Sequence, residues 1–192
     1  MRRVAWALVI FVAVTTGCGG TKWSSSVGAP SSVPTKLATP AAAPRGWVVY
    51  RDPSGLTLLR PPGWTTRPSQ LGPVYIFIDS APDAGGFRRN ISIISQPLPT
   101  AVTAKEYLRL SVSEVAQAGG KIDDNRATRL GVLAAQQVTW HLSKNGTTIR
   151  FLSVWTLRAK TAYIVTYTAD DAGFDAPIGD VYRLIASVRL PR

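Results

Sequence analysis

Residues 145 and 146 are Asn-Gly, the dipeptide most strongly tied to a two-residue hairpin turn. The segments on either side are long and alternate in character, so they read as paired antiparallel strands. On the way in, Leu133 to Leu142 sends Ala134, Val138, Trp140 and Leu142 to one face, with Gln136 among them. Gln137, Thr139, His141 and Ser143 go to the other. On the way out, Thr147 to Leu157 is apolar on both alternations, with Ile149, Phe151 and Trp155 on one and Leu152 and Val154 on the other. A strand apolar on both sides has to be covered on both sides. A second turn at Arg158-Ala159-Lys160 leads into Thr161 to Thr168, completing a three-stranded meander. The rest of the chain must therefore supply cover for two faces of a sheet.

Trp47 to Tyr50 reads as a short strand, followed by a turn at Asp52-Pro53-Ser54-Gly55 and a return over Leu56 to Arg60. Pro61-Pro62-Gly63-Trp64 breaks that strand as a loop. Val74 to Asp79 and Asn90 to Ser95 are two more strands, and Gln96-Pro97-Leu98-Pro99 ends the run. Thr103-Ala104-Lys105-Glu106 is a capping box. Tyr107, Leu108, Val112 and Val115 follow at helical spacing, until Gly119-Gly120 stops the helix. Asp123-Asp124-Asn125 and Asp170-Asp171 read as turn and helix-cap residues; neither has the oxygen spacing of a calcium loop. Ile178, Val181, Tyr182 and Ile185 predict a closing helix, and Val188-Arg189-Leu190 a last short strand. The expected class is α+β, an antiparallel sheet of about six strands with flanking helices, spanning residues 46–192.

The N-terminus has a different design. Met1-Arg2-Arg3 is basic, Val4 to Val14 is an unbroken apolar run of 11 residues, and small residues follow. That is the layout of a secretory signal over residues 1–17, and the run falls short of the ~20 residues of a membrane span. Thr15-Thr16-Gly17-Cys18 resembles the bacterial lipobox: Gly17 and Cys18 match it, Thr16 is a tolerated small residue, and Thr15 stands where Leu is preferred. The resemblance implies acylation of Cys18 and cleavage before it, giving a membrane anchor of two or three chains. Residues 18–45 then read as a tether, because Gly, Ser, Thr, Ala and Pro fill 20 of the 27 positions after the cysteine.

Composition narrows the chemistry. A single Cys excludes an internal disulfide framework and a multi-Cys zinc site, and a single His excludes any centre needing two imidazoles. Residues 46–192 carry 17 basic against 11 acidic side chains, scattered rather than clustered, which argues against a nucleic-acid partner. No Gly-x-Ser-x-Gly elbow, phosphate loop or dinucleotide fingerprint occurs. His141 is the one candidate general base, placed mid-strand on the polar, solvent-facing alternation. No metal or other cofactor is expected. Trp47, Trp64, Trp140 and Trp155 are either core or the lining of a ligand groove. Trp64, in its Pro-Pro-Gly-Trp loop, and the adjacent pair Arg88-Arg89 are the candidate ligand or partner contacts.

Residues 46–190 resemble the PsbP-like superfamily, including its DcrB-like and actinobacterial LpqN-type lipoprotein branches. The resemblance is carried by Tyr50-Arg51-Asp52-Pro53-Ser54-Gly55-Leu56-Thr57-Leu58, Arg60-Pro61-Pro62-Gly63-Trp64 and Asn90-Ile91-Ser92-Ile93. Glu106-Tyr107-Leu108, Ala162-Tyr163-Ile164-Val165-Thr166 and the stretch from Phe174 to Ser187 complete it. It implies an antiparallel sheet flanked by helices. Plant and cyanobacterial members are photosystem II extrinsic subunits that help retain calcium and chloride, but no residue set here matches a metal site of theirs. The LpqN-type branch is the better match, because lipobox, tether and domain follow in that order, and it implies a non-catalytic role. The expectation is a lipoprotein on the outer face of a bacterial cell membrane, binding an envelope protein or lipid. The alternatives are a photosystem II accessory protein and an envelope hydrolase that uses His141.

Overall fold

The computed structural model describes residues 43–68, 74–81, 87–144 and 146–191. Strands β1 (Val48–Arg51) and β2 (Thr57–Arg60) pair as a separate ribbon. The main antiparallel sheet has seven strands: β3 (Trp64–Pro68), β4 (Val74–Asp79), β5 (Asn90–Pro97), β6 (Lys121–Leu130), β7 (Leu133–Lys144), β8 (Thr147–Arg158) and β9 (Thr161–Asp170). Their order across the sheet is β3-β4-β5-β9-β8-β7-β6. Helix α1 (Ala104–Gln117) links β5 to β6, and α2 (Ile178–Ser187) follows β9. The α+β class holds, with more strands than the sequence pattern revealed. No helix among the described residues is long and apolar enough to cross a membrane.

The meander forms as its alternation requires. Lys144 pairs with Thr147, Trp140 with Phe151, and Leu152 with Tyr167. Gly146 in the tight turn takes φ +78°, a conformation open to glycine without cost; Asn145 lies outside the described residues. Both sheet faces are covered. On one, α1 lays Tyr107 on Trp155 (ring centroids 4.6 Å apart) and Val115 beside Val138 and Trp140. Trp140 stacks on Phe151 at 3.8 Å. On the other, Val181, Leu184 and Ile185 of α2 join Leu56 and Leu58 of the ribbon over Phe77, Ile91, Leu152, Val154 and Tyr167. Burial pushes the hydroxyls of Tyr107 and Tyr167 above their ordinary range. They donate to Gln96 Oε1 and to the Phe174 carbonyl, both at 3.1 Å. All three core clusters are drawn from residues between Trp47 and Leu190, so this portion of the chain holds its own core.

Four expectations need correction. Trp64 does not sit in a loop: it opens β3, pairs with Asp79 and is only 6% exposed, within the core. Asp123-Asp124-Asn125 is no turn but part of β6, a ten-residue edge strand. The polar alternation of β7 is not solvent-facing, since Gln137 and Thr139 are buried under the α2 layer. With its amide oxygen toward Arg126, Gln137 accepts from Nε and Nη2 at 3.2 and 3.1 Å. The Tyr182 hydroxyl of α2 lies 3.3 Å from the same amide. Finally, the predicted last strand at residues 188–190 is reduced to one bridge, Thr57 to Arg189.

The sheet has an upper end, where β7 turns into β8 and β9 finishes, and a lower end, where β6 turns into β7 and β8 into β9. At the lower end Gly131 (φ +59°) has the Val188 carbonyl oxygen 2.0 Å from where a Cβ would stand, so only glycine fits. Helix α1 starts near the lower end with the predicted capping box. Thr103 Oγ1 accepts from Glu106 N–H at 3.2 Å, and Glu106 Oε2 accepts from Thr103 N–H at 2.8 Å.

The bond from Thr103 N–H, and after it one that the Thr103 hydroxyl donates to Glu106 Oε2 at 2.8 Å, hold the Glu106 carboxyl below its ordinary value of 4.5. A carboxyl with a lowered folded pKa contributes stability that is full above its unfolded pKa and lost as pH falls through the folded one. The thermal midpoint of Glu106→Ala is therefore expected below that of the wild type at neutral pH, with the gap closing in acid as the carboxylate protonates. A gap that stays constant across an acid titration of both proteins contradicts the box.

Candidate functional site

The upper end of the α2-covered face is where charged side chains converge. His141 of β7 stands opposite Arg150 of β8, and Ser143 opposite Thr148. On the edge, β6 slips register between Ile122 and Asp124, which leaves Asp123 as the extra residue of a bulge. Bulges re-aim a side chain; here the Asp123 carboxylate reaches across, with Oδ1 2.7 Å from His141 Nδ1. Arg150 lies with its guanidinium carbon 4.2 Å from the centroid of the Phe174 ring. Its Nε is 3.6 Å from Asp171 Oδ1 and its Nη1 3.6 Å from Asp175 Oδ2. Ser143 Oγ and Thr148 Oγ1 are hydrogen bonded at 2.8 Å. Asp123, His141, Ser143, Thr148, Arg150 and Asp171 together line an open depression of about 310 Å³.

The geometry assigns roles. A carboxylate can only accept, so the neutral imidazole of His141 must carry its proton on Nδ1 and leave Nε2 as a lone-pair acceptor. Arg150 supplies donors, and Ser143 and Thr148 supply hydroxyls. The depression is thus fitted to hydrogen bond a polar ligand or to take a proton from one. No group of three or more His, Cys, Asp or Glu side chains among the described residues is placed to hold a metal ion.

The residues singled out from the sequence fall elsewhere, except His141. Trp64, Arg88 and Arg89 do meet, around Asp79 at the upper end of β4. Arg89 Nη2 is 2.7 Å from Asp79 Oδ2, in a pair whose side chains are 17% and 12% exposed. Arg88 is exposed, and its Nη1 donates to the Ser80 carbonyl at 3.0 Å. Trp64 and Arg89 are thereby occupied in packing and pairing, and Arg88 alone of the three is presented to solvent. Cys18 lies outside the described residues. Asp123, Asp171 and Asp175 were missed as site residues, because Asp123-Asp124-Asn125 and Asp170-Asp171 look like turn chemistry when read alone.

No family model matches the sequence, and no curated protein matches it. Solved structures match the fold. The solution structure of cyanobacterial PsbP (CyanoP) from Synechocystis aligns with a TM-score of 0.56 at 13% identity, over 80% of this chain and 98% of that one. LpqN of Mycobacterium tuberculosis, described as involved in cell envelope biogenesis, aligns at 0.57 and 19% identity, over 76% and 91%. The Ran-binding protein Mog1p of Saccharomyces cerevisiae aligns at 0.55 and 9%, over 75% and 95%. The chain has the PsbP-like fold that its motifs implied, related to that of LpqN.

Nitrogen-15 spectra of the imidazole in alkaline solution are expected to show the Nδ1–H tautomer as the main neutral form in the wild type. In Asp123→Ala the balance should move to Nε2–H, the form free imidazoles prefer. An unchanged tautomer ratio means that the 2.7 Å contact does not exist in solution.

Proposed function

We propose that the chain is an exported lipoprotein, acylated at Cys18, whose PsbP-like domain serves as a non-catalytic binding or adaptor module for a protein or lipid of the cell envelope. The order of parts carries this reading. A basic start, an apolar run of 11 residues and a Gly-Cys pair precede a Pro-, Ser- and Ala-rich stretch, and the domain that follows has the fold of LpqN. The upper depression supports recognition over catalysis. It is open, and the hydroxyl of Ser143 is engaged by Thr148 rather than by His141. Arg88, exposed beside the depression's end of the sheet, is carried forward as a partner contact.

Intact-mass measurement and membrane partition test the anchor. The wild type should fractionate with membranes as a chain that begins at Cys18 and carries acyl mass. Cys18→Ser should either be released or keep its signal segment. Equal partition and no acyl mass in either protein overturn the reading.

One observation favours a second reading, a hydrolase: Asp123 orients His141 as the third group of a catalytic triad orients its base. If that reading holds, hydrolysis of a panel of ester and amide substrates falls by roughly 10²- to 10⁴-fold in His141→Ala. If the adaptor reading holds, wild type and variant are equally inert.

A further inference from the structure

The charges of the domain are arranged differently at its two ends. At the upper end several cations meet carboxylates: Arg89 with Asp79, His141 with Asp123, and Arg150 with Asp171 and Asp175. At the lower end they do not. Arg51 closes β1, Arg129 lies at the end of β6, Arg158 and Lys160 flank the β8–β9 turn, and Arg189 follows α2, all of them exposed. Thr57 pairs with both Arg51 and Arg189, and the Arg189 guanidinium reaches the β6–β7 turn at Gly131. Arg158 donates to the carbonyl of Pro191, in the same terminal segment. These contacts gather the five cations on one surface.

Three of them are held in place by neutral acceptors. Arg129 Nη1 donates to the Val132 carbonyl at 3.1 Å, Arg189 Nη1 to those of Ala186 and Val188 at 3.1 and 2.9 Å, and Arg158 to that of Pro191. Among the described residues no ion pair involves any of the five. The carboxylates nearest this end are Asp52, which is buried, and Glu106, which is committed to the capping box. Beside Arg129 and Arg189, on the β6–β7 turn, Val132 is 66% exposed, the most exposed large hydrophobic side chain among the described residues.

We propose that the lower end is a membrane-contact surface that engages anionic lipid headgroups, with Val132 seated between them. Unneutralised cations gain from the negative surface potential of a bilayer, and an apolar tip gains from the acyl boundary below it. A soluble acidic polymer offers the first and not the second, which is why a lipid surface is the better fit. The chain enters the domain at the opposite end, where Gly46 packs near Pro62. The 27 residues between Cys18 and the domain can extend at most about 95 Å, against about 40 Å for a 12-residue strand, so an anchored domain can turn this end to its own membrane. The proposal rests on the domain residing at a membrane, and its test uses protein without the anchor, so the two can fail separately.

The domain from Ala43 onward, which holds its own core, is sedimented with vesicles of phosphatidylcholine alone or mixed with phosphatidylglycerol, at low and physiological salt. Binding is expected only with phosphatidylglycerol, weakening as salt rises. Arg129→Glu/Lys160→Glu should lower affinity at least about 25-fold, from roughly fivefold per charge near the surface. Arg129→Gln/Lys160→Gln gives a smaller loss and covers the case in which the reversal fails to fold. Arg45→Glu/Lys121→Glu changes net charge equally at the upper end, where both side chains are exposed, and should cost less than about fivefold. Val132→Ser should weaken binding while leaving its salt dependence unchanged. Equal losses from the two charge-reversal pairs, no binding to anionic vesicles, or binding to soluble polyglutamate but not to vesicles would each overturn the proposal.

Discussion

Strand β8 lies inside the sheet with large side chains on both sides, Phe151 and Trp155 on one, Leu152 and Val154 on the other. Each such side chain buried contributes about 1.5–3 kcal/mol, so neither face can be left open to water. The rest of the domain answers that demand with two different covers. Helix α1 lies across the β6–β7 side with Tyr107 and Val115 inward. The other face takes α2 and the β1–β2 ribbon together, so that Tyr50 meets Phe77 edge-on at 5.0 Å. The second cover stops short of the upper end, and the polar depression is what lies beyond it.

How much of this could be read from the chain depended on whether each element's own residues announced it. The β7–β8–β9 meander was legible because period-two alternation and two turns agree, and α1 because Thr103 and Glu106 form a complete box. Strand β3 was hidden by its brevity and by the Pro-Pro-Gly that leads into it. Strand β6 was hidden by its composition: Asp and Asn are depleted in strands, and Lys121-Ile-Asp-Asp-Asn-Arg reads as solvated turn. Its place explains the mismatch, since β6 is an edge, and charged side chains on an edge discourage pairing with other chains.

The candidate site inherits that blind spot. His141 was visible as the sole histidine, but its orienting carboxylate sits on the strand that composition concealed, in a bulge that only the register reveals. Arg150 was equally plain in the sequence, whereas Asp171 and Asp175 come to it from a loop whose path no periodicity describes. Trp64 failed in the other direction. An aromatic after Pro-Pro-Gly suggests a loop on display, yet the backbone turns it at once into β3 and the ring goes inward. Local chemistry set the side chains available, and long-range pairing decided which of them share a surface.

The cover over Leu56 and Leu58 has a bearing on the order of assembly. Both leucines are made early in the chain, and both are almost fully buried against Val181, Leu184, Ile185 and Val188, which are made last. A nascent chain therefore carries its first hairpin with a greasy underside and nothing to close it until the final helix emerges. Synthesis alone cannot complete this core piecemeal. The face under that hairpin is therefore the last part of the core to close, whatever the rest of the sheet has already done.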